Sequence, residues 1–329
     1  MTLLTKEAIE ELVGLDKKFY LHPTSSVRQH QQLGPSYIFT EGEGIYLKDV
    51  HGDKFIDGLS SLWNVNIGHG RKELGEVAKE QMGKLAFSSS FLNLSHEPAI
   101  RLSEKLASLT PGNLNVSFYT SGGSESNDTA FKLVRYYWKL KGQPQRTKII
   151  GRERGYHGIT MGATSATGIE QFQNMSLAKA PDFLHAGSVF KTNCELGDKE
   201  DPDYEKSIRG IIEKEGPETI AAVIVEPVQG AGGINIPPKD YLQAVRKVCD
   251  EYGVLFIADE VICGFGRTGK MFGVNNWEVV PDVMTVAKGI TSGYIQLGAM
   301  ILKDSIRDEL ADFSDEVMFH GFTYSGHPT

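Results

Sequence analysis

Three short stretches constrain this chain more than anything else in it: AAVIVE (221–226), VLFIAD (254–259) and DVMTVAK (282–288). Each is apolar at both alternating sets of positions, and each closes on a charged residue. A strand that is apolar on both faces must be covered on both, which is the condition of a parallel sheet joined by crossover helices. The segment between the first two strands supplies such a helix. PKDYLQAVRKVCDEYG (238–253) puts Leu242, Val245, Val248, Cys249 and Tyr252 on one face, with Gly253 as its stop. Sheets of this kind bind ligands beyond the carboxyl ends of their strands. Glu226, Asp259 and Lys288 stand at those ends.

The alternation of helices and buried strands begins near residue 70. Residues 97–109 have helical spacing, VSFYT (116–120) reads as a strand, and another strand lies near 147–151. Residues 124–141 read as a helix, with Glu125 and Asp128 in its first turn, Lys139 and Lys141 in its last, and Gly142 and Pro144 as the stop. Ahead of these come a short helix over 6–13 and a β-meander, where SYIFTEGEGIYLKDVHGDKFIDG alternates apolar and polar and the HGD turn at 51–53 joins two strands. A length of 329 residues fits two domains, or one large α/β domain with a smaller appendage.

Composition removes several function classes. Lys+Arg 34 against Asp+Glu 42 gives a net charge of −8, which disfavours a general binder of nucleic acid or anionic membrane. No apolar run approaches the ~18 residues of a spanning helix. The cysteines Cys194, Cys249 and Cys263 are odd in number and unpatterned, so neither a disulfide framework nor a metal site is expected, and a cytoplasmic location is. The start, MTLLTKEAIEELVG, carries glutamates inside its apolar pattern and does not read as a signal peptide. GFGRTG (264–269) matches the dinucleotide-binding glycine pattern, but KMFGVNNWEVVPD after it has no helical period and offers no helix N-terminus to a pyrophosphate. The same loop fails as a P-loop, because Met271 stands where magnesium needs a hydroxyl.

The chemistry gathers elsewhere. SGGSESN (121–127) lies between a strand and a helix, where two glycines expose backbone N–H groups and Ser124 adds a hydroxyl. That is a cup for a phosphate monoester, or else ordinary capping by Ser121 or Ser124. Asp259 ends an apolar strand, where a carboxylate either holds a proton on a heterocycle nitrogen or caps the next turn. Lys288 is either a desolvated, nucleophilic amine or a surface lysine reaching out of a strand end. Tyr156 and His157 sit in a glycine-flanked loop, as a platform for a flat ring or as loop anchors. One ligand satisfies all the functional readings: pyridoxal 5′-phosphate, flat, with a phosphate, a basic ring nitrogen and a carbonyl that a lysine can trap.

The chain resembles the class III, ω-amino-acid:pyruvate type, aminotransferases of fold type I from about residue 20 to its last residue. The motifs are TSGGSES, the YHG loop, EPVQGAGG (226–233), ADEVICGFGRTG (258–269), TVAKGI (285–290) and HGFTYSGHP (320–328). The resemblance implies a mainly parallel seven-stranded α/β domain that binds pyridoxal phosphate, over 61–329, with 1–60 forming the N-terminal part of a small α+β domain. It implies that Lys288 traps the cofactor and shuttles a proton, and that Asp259 pairs with the pyridinium nitrogen. Val261 and Tyr156 would flank the ring, and Gly123 and Ser124 would hold the phosphate. Phe322 and Thr323 would reach the phosphate of a neighbouring subunit in a homodimer. Trp63, with Tyr156 and Ala231, would line the substrate pocket.

Three departures from the family pattern shape the expected function. Leu62-Trp63 replaces the Trp-Trp pair of diaminopelargonate aminotransferases, which lowers that reading. Ala231 stands where users of 2-oxoglutarate commonly carry a glutamate that parks a switching arginine, which favours pyruvate as acceptor. The chain stops at GHPT, so a C-terminally truncated form is expected, without the segment that completes the small domain and carries a carboxylate-binding arginine. The expected reaction is amino transfer from an amine or ω-amino acid to pyruvate, by a ping-pong route through pyridoxamine phosphate. The alternatives are another class III aminotransferase or aminomutase, and an inactive cofactor-binding, homodimerising fragment. Putrescine, β-alanine, taurine and aryl-alkyl amines all stay open as donors.

Overall fold

The computed structural model describes residues 4–329, so the first three residues of the 1–60 segment lie outside the described residues. The chain divides into two compact units, Met1–Glu76 and Val77–Thr329.

In the first unit, helix α1 (Lys6–Phe19) is followed by α2 (Val27–Leu33) and by strands β1 (Phe39–Glu43), β2 (Tyr46–Asp49) and β3 (Lys54–Ile56). The strands form the antiparallel meander expected from the sequence, in the order β1-β2-β3. At its HGD turn, Asp49 Oδ1 accepts the backbone N–H of His51 at 3.0 Å and of Asp53 at 2.9 Å. Helix α1 runs six residues past the expected end at position 13. Gly14 does not stop it, because an interior glycine costs only about 1 kcal/mol relative to alanine, and Lys17 and Lys18 favour the last turn.

The second unit is built on a seven-stranded sheet. Its elements are α3 (Glu97–Leu109), β4 (Leu114–Thr120), α4 (Gly123–Leu140), β5 (Lys148–Arg152), β6 (Phe183–Ala186), α5 (Ile208–Glu215), β7 (Ile220–Val225), α6 (Tyr241–Tyr252), β8 (Leu255–Asp259), β9 (Val283–Val286), β10 (Gly298–Lys303) and α7 (Asp304–Phe313). The strand order is β4-β10-β9-β8-β7-β5-β6. Every neighbouring pair is parallel except the two that involve β10, which runs against both β4 and β9. The sheet is therefore mainly parallel, as expected, with one reversed strand that the sequence reading does not name.

Alternation along each strand feeds two cores. Val223 and Val225 of β7 join Phe256 and Ala258 of β8 in a layer with Leu242, Val245 and Val248 of α6. Ala222 and Ile224 join Ile257 of β8 in the other layer, with Phe131, Val134 and Trp138 of α4. Each fully buried Val or Ile contributes roughly 1.5–3 kcal/mol, which explains why β7 is apolar at all of its positions. Helix α6 ends at Gly253, whose φ of 59° and ψ of 41° place it in the left-handed region, as its role as a stop requires. The 264–276 loop holds only a single 3₁₀ turn, Gly273–Asn276, and no helix N-terminus follows its glycines.

Candidate active site

Strand register brings the three suspected side chains to one end of the sheet. Val225 pairs with Ala258 and Asp259 pairs with Thr285, so Glu226, Asp259 and Lys288 leave three adjacent strands at the same edge. Lys288 does not sit in strand geometry. β9 stops at Val286, and Lys288 opens a 3₁₀ turn with a φ of 48°. A non-glycine residue in the left-handed region is strained by roughly 1–3 kcal/mol. Burial pushes its ammonium pKa down, while the charges of Asp259 and Glu226 pull it up; burial wins.

Asp259 is buried and fully engaged. Its Oδ1 accepts the N–H of Val261 at 3.0 Å, and its Oδ2 accepts Asn127 Nδ2 at 2.9 Å and His157 Nδ1 at 2.8 Å. The capping alternative is thus present in the Val261 bond, but two further buried donors hold the carboxylate in one orientation. Asn127 also donates to the carbonyl of His157 at 2.7 Å and accepts from Thr285 Oγ1 at 2.7 Å, which locks the network to β9. His157 is not an exposed loop aromatic. It is buried, and its Nε2 has no hydrogen-bond partner.

Beside Asp259, Glu226 accepts the N–H of Tyr156 at 2.8 Å and of Gly230 at 2.9 Å. Burial pushes its carboxyl up to about 7. The bond to Tyr156 fixes the backbone of the loop after β5, and the half-buried Tyr156 ring packs edge-on to Phe172 at 5.0 Å. Burial raises the Tyr156 phenol pKa, helped by the negative charges of Asp259 and Glu226. Ala231 is half-buried in the following turn, where Gln229 and Asn235 bridge across.

The SGGSESN segment is a cup rather than a capped helix end. The N-cap of α4 is Gly122, and no side chain caps the helix. The backbone ladder starts with Ser126 N–H bonded to Gly122 O, so the N–H groups of 123–125 precede it. Two close approaches shape the cup. A Cβ on Gly123 would meet Val261 Cγ1 at 2.7 Å, and a Cβ on Gly158 would collide with Ser124 Oγ. Gly158 thereby lets the YHG loop close on the cup, where Ile159 N–H donates to Ser124 Oγ at 3.1 Å. Cup, Val261, Asp259 and Lys288 offer an anion receptor, an aliphatic side chain, a fixed carboxylate and a desolvated amine. These residues fit pyridoxal phosphate.

Phe322 is half-buried and Thr323 exposed in a turn where Phe322 N–H donates to Ser325 Oγ at 3.1 Å. Trp63 belongs to the first unit, in a kinked turn (Ser60–Trp63) with a φ of 57°.

The profile of the family described as Aminotransferase class-III matches residues 26–329. A putrescine–pyruvate aminotransferase of Pseudomonas aeruginosa is 39% identical over 329 residues, covering 99% of this chain and 71% of its own length. The chain belongs to the class III aminotransferases. Among solved structures, a transaminase from the marine bacterium Virgibacillus superposes with a TM-score of 0.92 at 56% identity, covering 97% of this chain and 70% of its own. The ω-transaminase of Pseudomonas jessenii in complex with PMP has a TM-score of 0.90 at 40% identity over 96% of this chain and 71% of its own. As a class III aminotransferase of fold type I, the protein is a transferase of amino groups that uses pyridoxal phosphate.

Asp259, Lys288, Val261 and the SGGSESN cup were legible in the sequence, but the partners of Asp259 were not. Asn127 lies one helical turn beyond Ser124 and His157 follows Tyr156 directly, so both were in view without a signal of what they touch.

Proposed function

We propose that this aminotransferase moves an amino group from an amine or ω-amino acid to pyruvate in two ping-pong half-reactions. What carries the reading is the pairing of a buried, triply bonded Asp259 with a desolvated Lys288 at adjacent strand ends. Pyridoxal phosphate, when bound, supplies the carbonyl that exchanges with the amine and the ring that accepts carbanion charge. Gly123 and Ser124, with the amides ahead of the α4 ladder, bind its phosphate. Val261 and Tyr156 would flank the ring. Asp259 would hold a proton at the ring nitrogen, and Asn127 and His157 fix the orientation of its carboxylate. Lys288 Nζ, whose proton affinity burial lowers, would supply the nucleophilic amine and carry the proton that the transfer moves.

Acceptor choice rests on Ala231, which cannot supply the carboxylate that a two-acid acceptor cycle uses to park an arginine. The name of the Pseudomonas aeruginosa relative agrees with pyruvate. Trp63 is the proposed substrate-side residue of the first unit, and Phe322 and Thr323 are the proposed contacts to the cofactor phosphate of a second copy in a homodimer. The test is a panel of donors (putrescine, β-alanine, taurine, aryl-alkyl amines) assayed with pyruvate and with 2-oxoglutarate. Turnover with pyruvate should exceed that with 2-oxoglutarate for every accepted donor. A preference for 2-oxoglutarate refutes the acceptor reading.

A further inference from the structure

The α1–α2 hairpin holds a side-chain cluster that the transamination chemistry does not use. Asp16 lies in the last turns of α1, His22 in the link, and His30 in α2. Both imidazoles turn Nε2 toward one carboxylate. His22 Nε2 is 3.1 Å from Asp16 Oδ1 and 3.0 Å from Oδ2, and His30 Nε2 is 2.5 Å from Oδ1. One ligand atom from each residue lies within 4.8 Å of the others. The rings are held in place: His22 packs against His30 with centroids 4.5 Å apart and against Tyr20 at 4.2 Å. The side chains are shielded, with 9% of His30, 18% of Asp16 and 27% of His22 exposed.

Two nitrogens and one oxygen at the corners of a small triangle, with one side open to water, are the donor set of a metal site with three protein ligands. Tetrahedral zinc, at about 2.0–2.2 Å from nitrogen and oxygen, spaces its ligand atoms roughly 3.3 Å apart. The Asp16–His22 edge, at 3.0 Å, already approaches that spacing, the Asp16–His30 edge at 2.5 Å opens with a rotation of the His30 side chain, and the His22–His30 edge is no longer than 4.8 Å. Imidazole nitrogens select transition metals, whereas magnesium and calcium prefer an all-oxygen set. The hairpin also has use for a clip. Among the described residues, neither α1 nor α2 contains a buried one. Beyond this cluster, polar bonds such as Lys17 Nζ to Gln32 O at 3.0 Å link the two helices.

We propose that Asp16, His22 and His30 bind a divalent transition-metal cation of the zinc class, through a carboxylate oxygen and both Nε2 atoms, and that this cation clips α1 to α2. The sequence reading, which looked to cysteines for a metal site, expected none; the spacing Asp-x₅-His-x₇-His carries no familiar motif.

The experiment uses the whole chain with its cofactor, freed of metal by a chelator and titrated with zinc(II) alone by equilibrium dialysis. Cobalt(II) serves as a coloured probe of coordination in a parallel titration. The expected result is one zinc per chain, a tetrahedral-type cobalt absorption, and a thermal midpoint that rises with zinc and not with magnesium. His22→Ala, His30→Ala and Asp16→Asn should each weaken zinc binding at least about tenfold, a loss that even a change outside the ligand shell can produce. Their transamination rates should stay at the wild-type level. Failure of the wild-type chain to bind zinc overturns the proposal whether or not any variant folds. Unchanged zinc affinity in a folded His22→Ala/His30→Ala double variant overturns it equally.

Discussion

Asp259→Asn separates a structural carboxylate from a catalytic one. The substitution keeps size and shape but changes one acceptor into a donor. With its oxygen toward Val261 N–H, the 3.0 Å turn bond survives. The new NH₂ then faces Asn127 Nδ2 at 2.9 Å and His157 Nδ1 at 2.8 Å, both donors to the present carboxylate. His157 can adapt by moving its proton to Nε2, because that nitrogen has no partner to lose. Asn127 keeps its 2.7 Å bond to His157 O. About one charge-assisted bond is therefore lost, worth roughly 1.5–3 kcal/mol, and the cost of burying a charge disappears with it. Net stability should change by no more than about 2 kcal/mol. The rate should change far more. An amide cannot hold the ring nitrogen protonated, and loss of one preorganised electrostatic stabiliser costs about 10²–10³ in turnover, or 2.7–4 kcal/mol. Steady-state turnover, cofactor absorbance and thermal midpoint should be measured on the same preparation. A loss of at least about 10²-fold in kcat, with cofactor retained, is expected. Near wild-type turnover with full cofactor would mean that Asp259 serves only the turn.

Lys288→Ala should abolish transamination, and borohydride reduction of the wild type should fix the cofactor on Lys288, as read by peptide mapping; a label on another lysine refutes the assignment. Gly123→Ala forces a methyl to within 2.7 Å of Val261 Cγ1, so cofactor affinity should fall, and Val261→Ala in the same chain should restore part of it in a fluorescence titration. Glu226 is buried with its carboxyl raised to about 7, so the folded chain binds a proton that the unfolded chain releases earlier. Stability from this group is present below the unfolded value and is lost as pH rises toward 7. The thermal midpoint of Glu226→Gln should accordingly gain on the wild type between about pH 5 and about pH 8; a gap independent of pH would contradict the raised value.

What the sequence disclosed follows from the range of the interactions involved. Asp259 and Lys288 were legible because a charge closing an apolar run is costly unless something uses it. Five strands of the large sheet were legible for a related reason, since their apolar runs are bounded by glycine, proline or polar residues. β10 escaped because GAMILK is an apolar run that suits a buried helix as well as a strand. Its reversed direction is a property of pairing, and its partners Thr120 and Val286 lie far away along the chain. β6 is only four residues long and half-buried for most of them. The supports of Asp259 were hidden for the same cause: Asn127 and His157 stand 132 and 102 positions before it.

The same long-range contacts explain why strong local rules are broken at Lys288. Parallel pairing fixes Asp259 opposite Thr285, and Thr285 Oγ1 reaches Asn127, which in turn bonds Asp259 and the His157 carbonyl. Helix α4, the YHG loop, β8 and β9 thus meet at one carboxylate, and none can shift without breaking a buried bond. Three residues past Thr285 the chain must leave the strand, and it does so through a left-handed Lys288 rather than a glycine. A glycine would relieve the strain and remove the amine. Keeping a side chain at a φ of 48° costs roughly 1–3 kcal/mol, which the surrounding buried network is large enough to offset. The strain and the desolvation therefore fall together on the residue proposed as the nucleophile, and the rigidity that sustains them is the rigidity that holds Asp259.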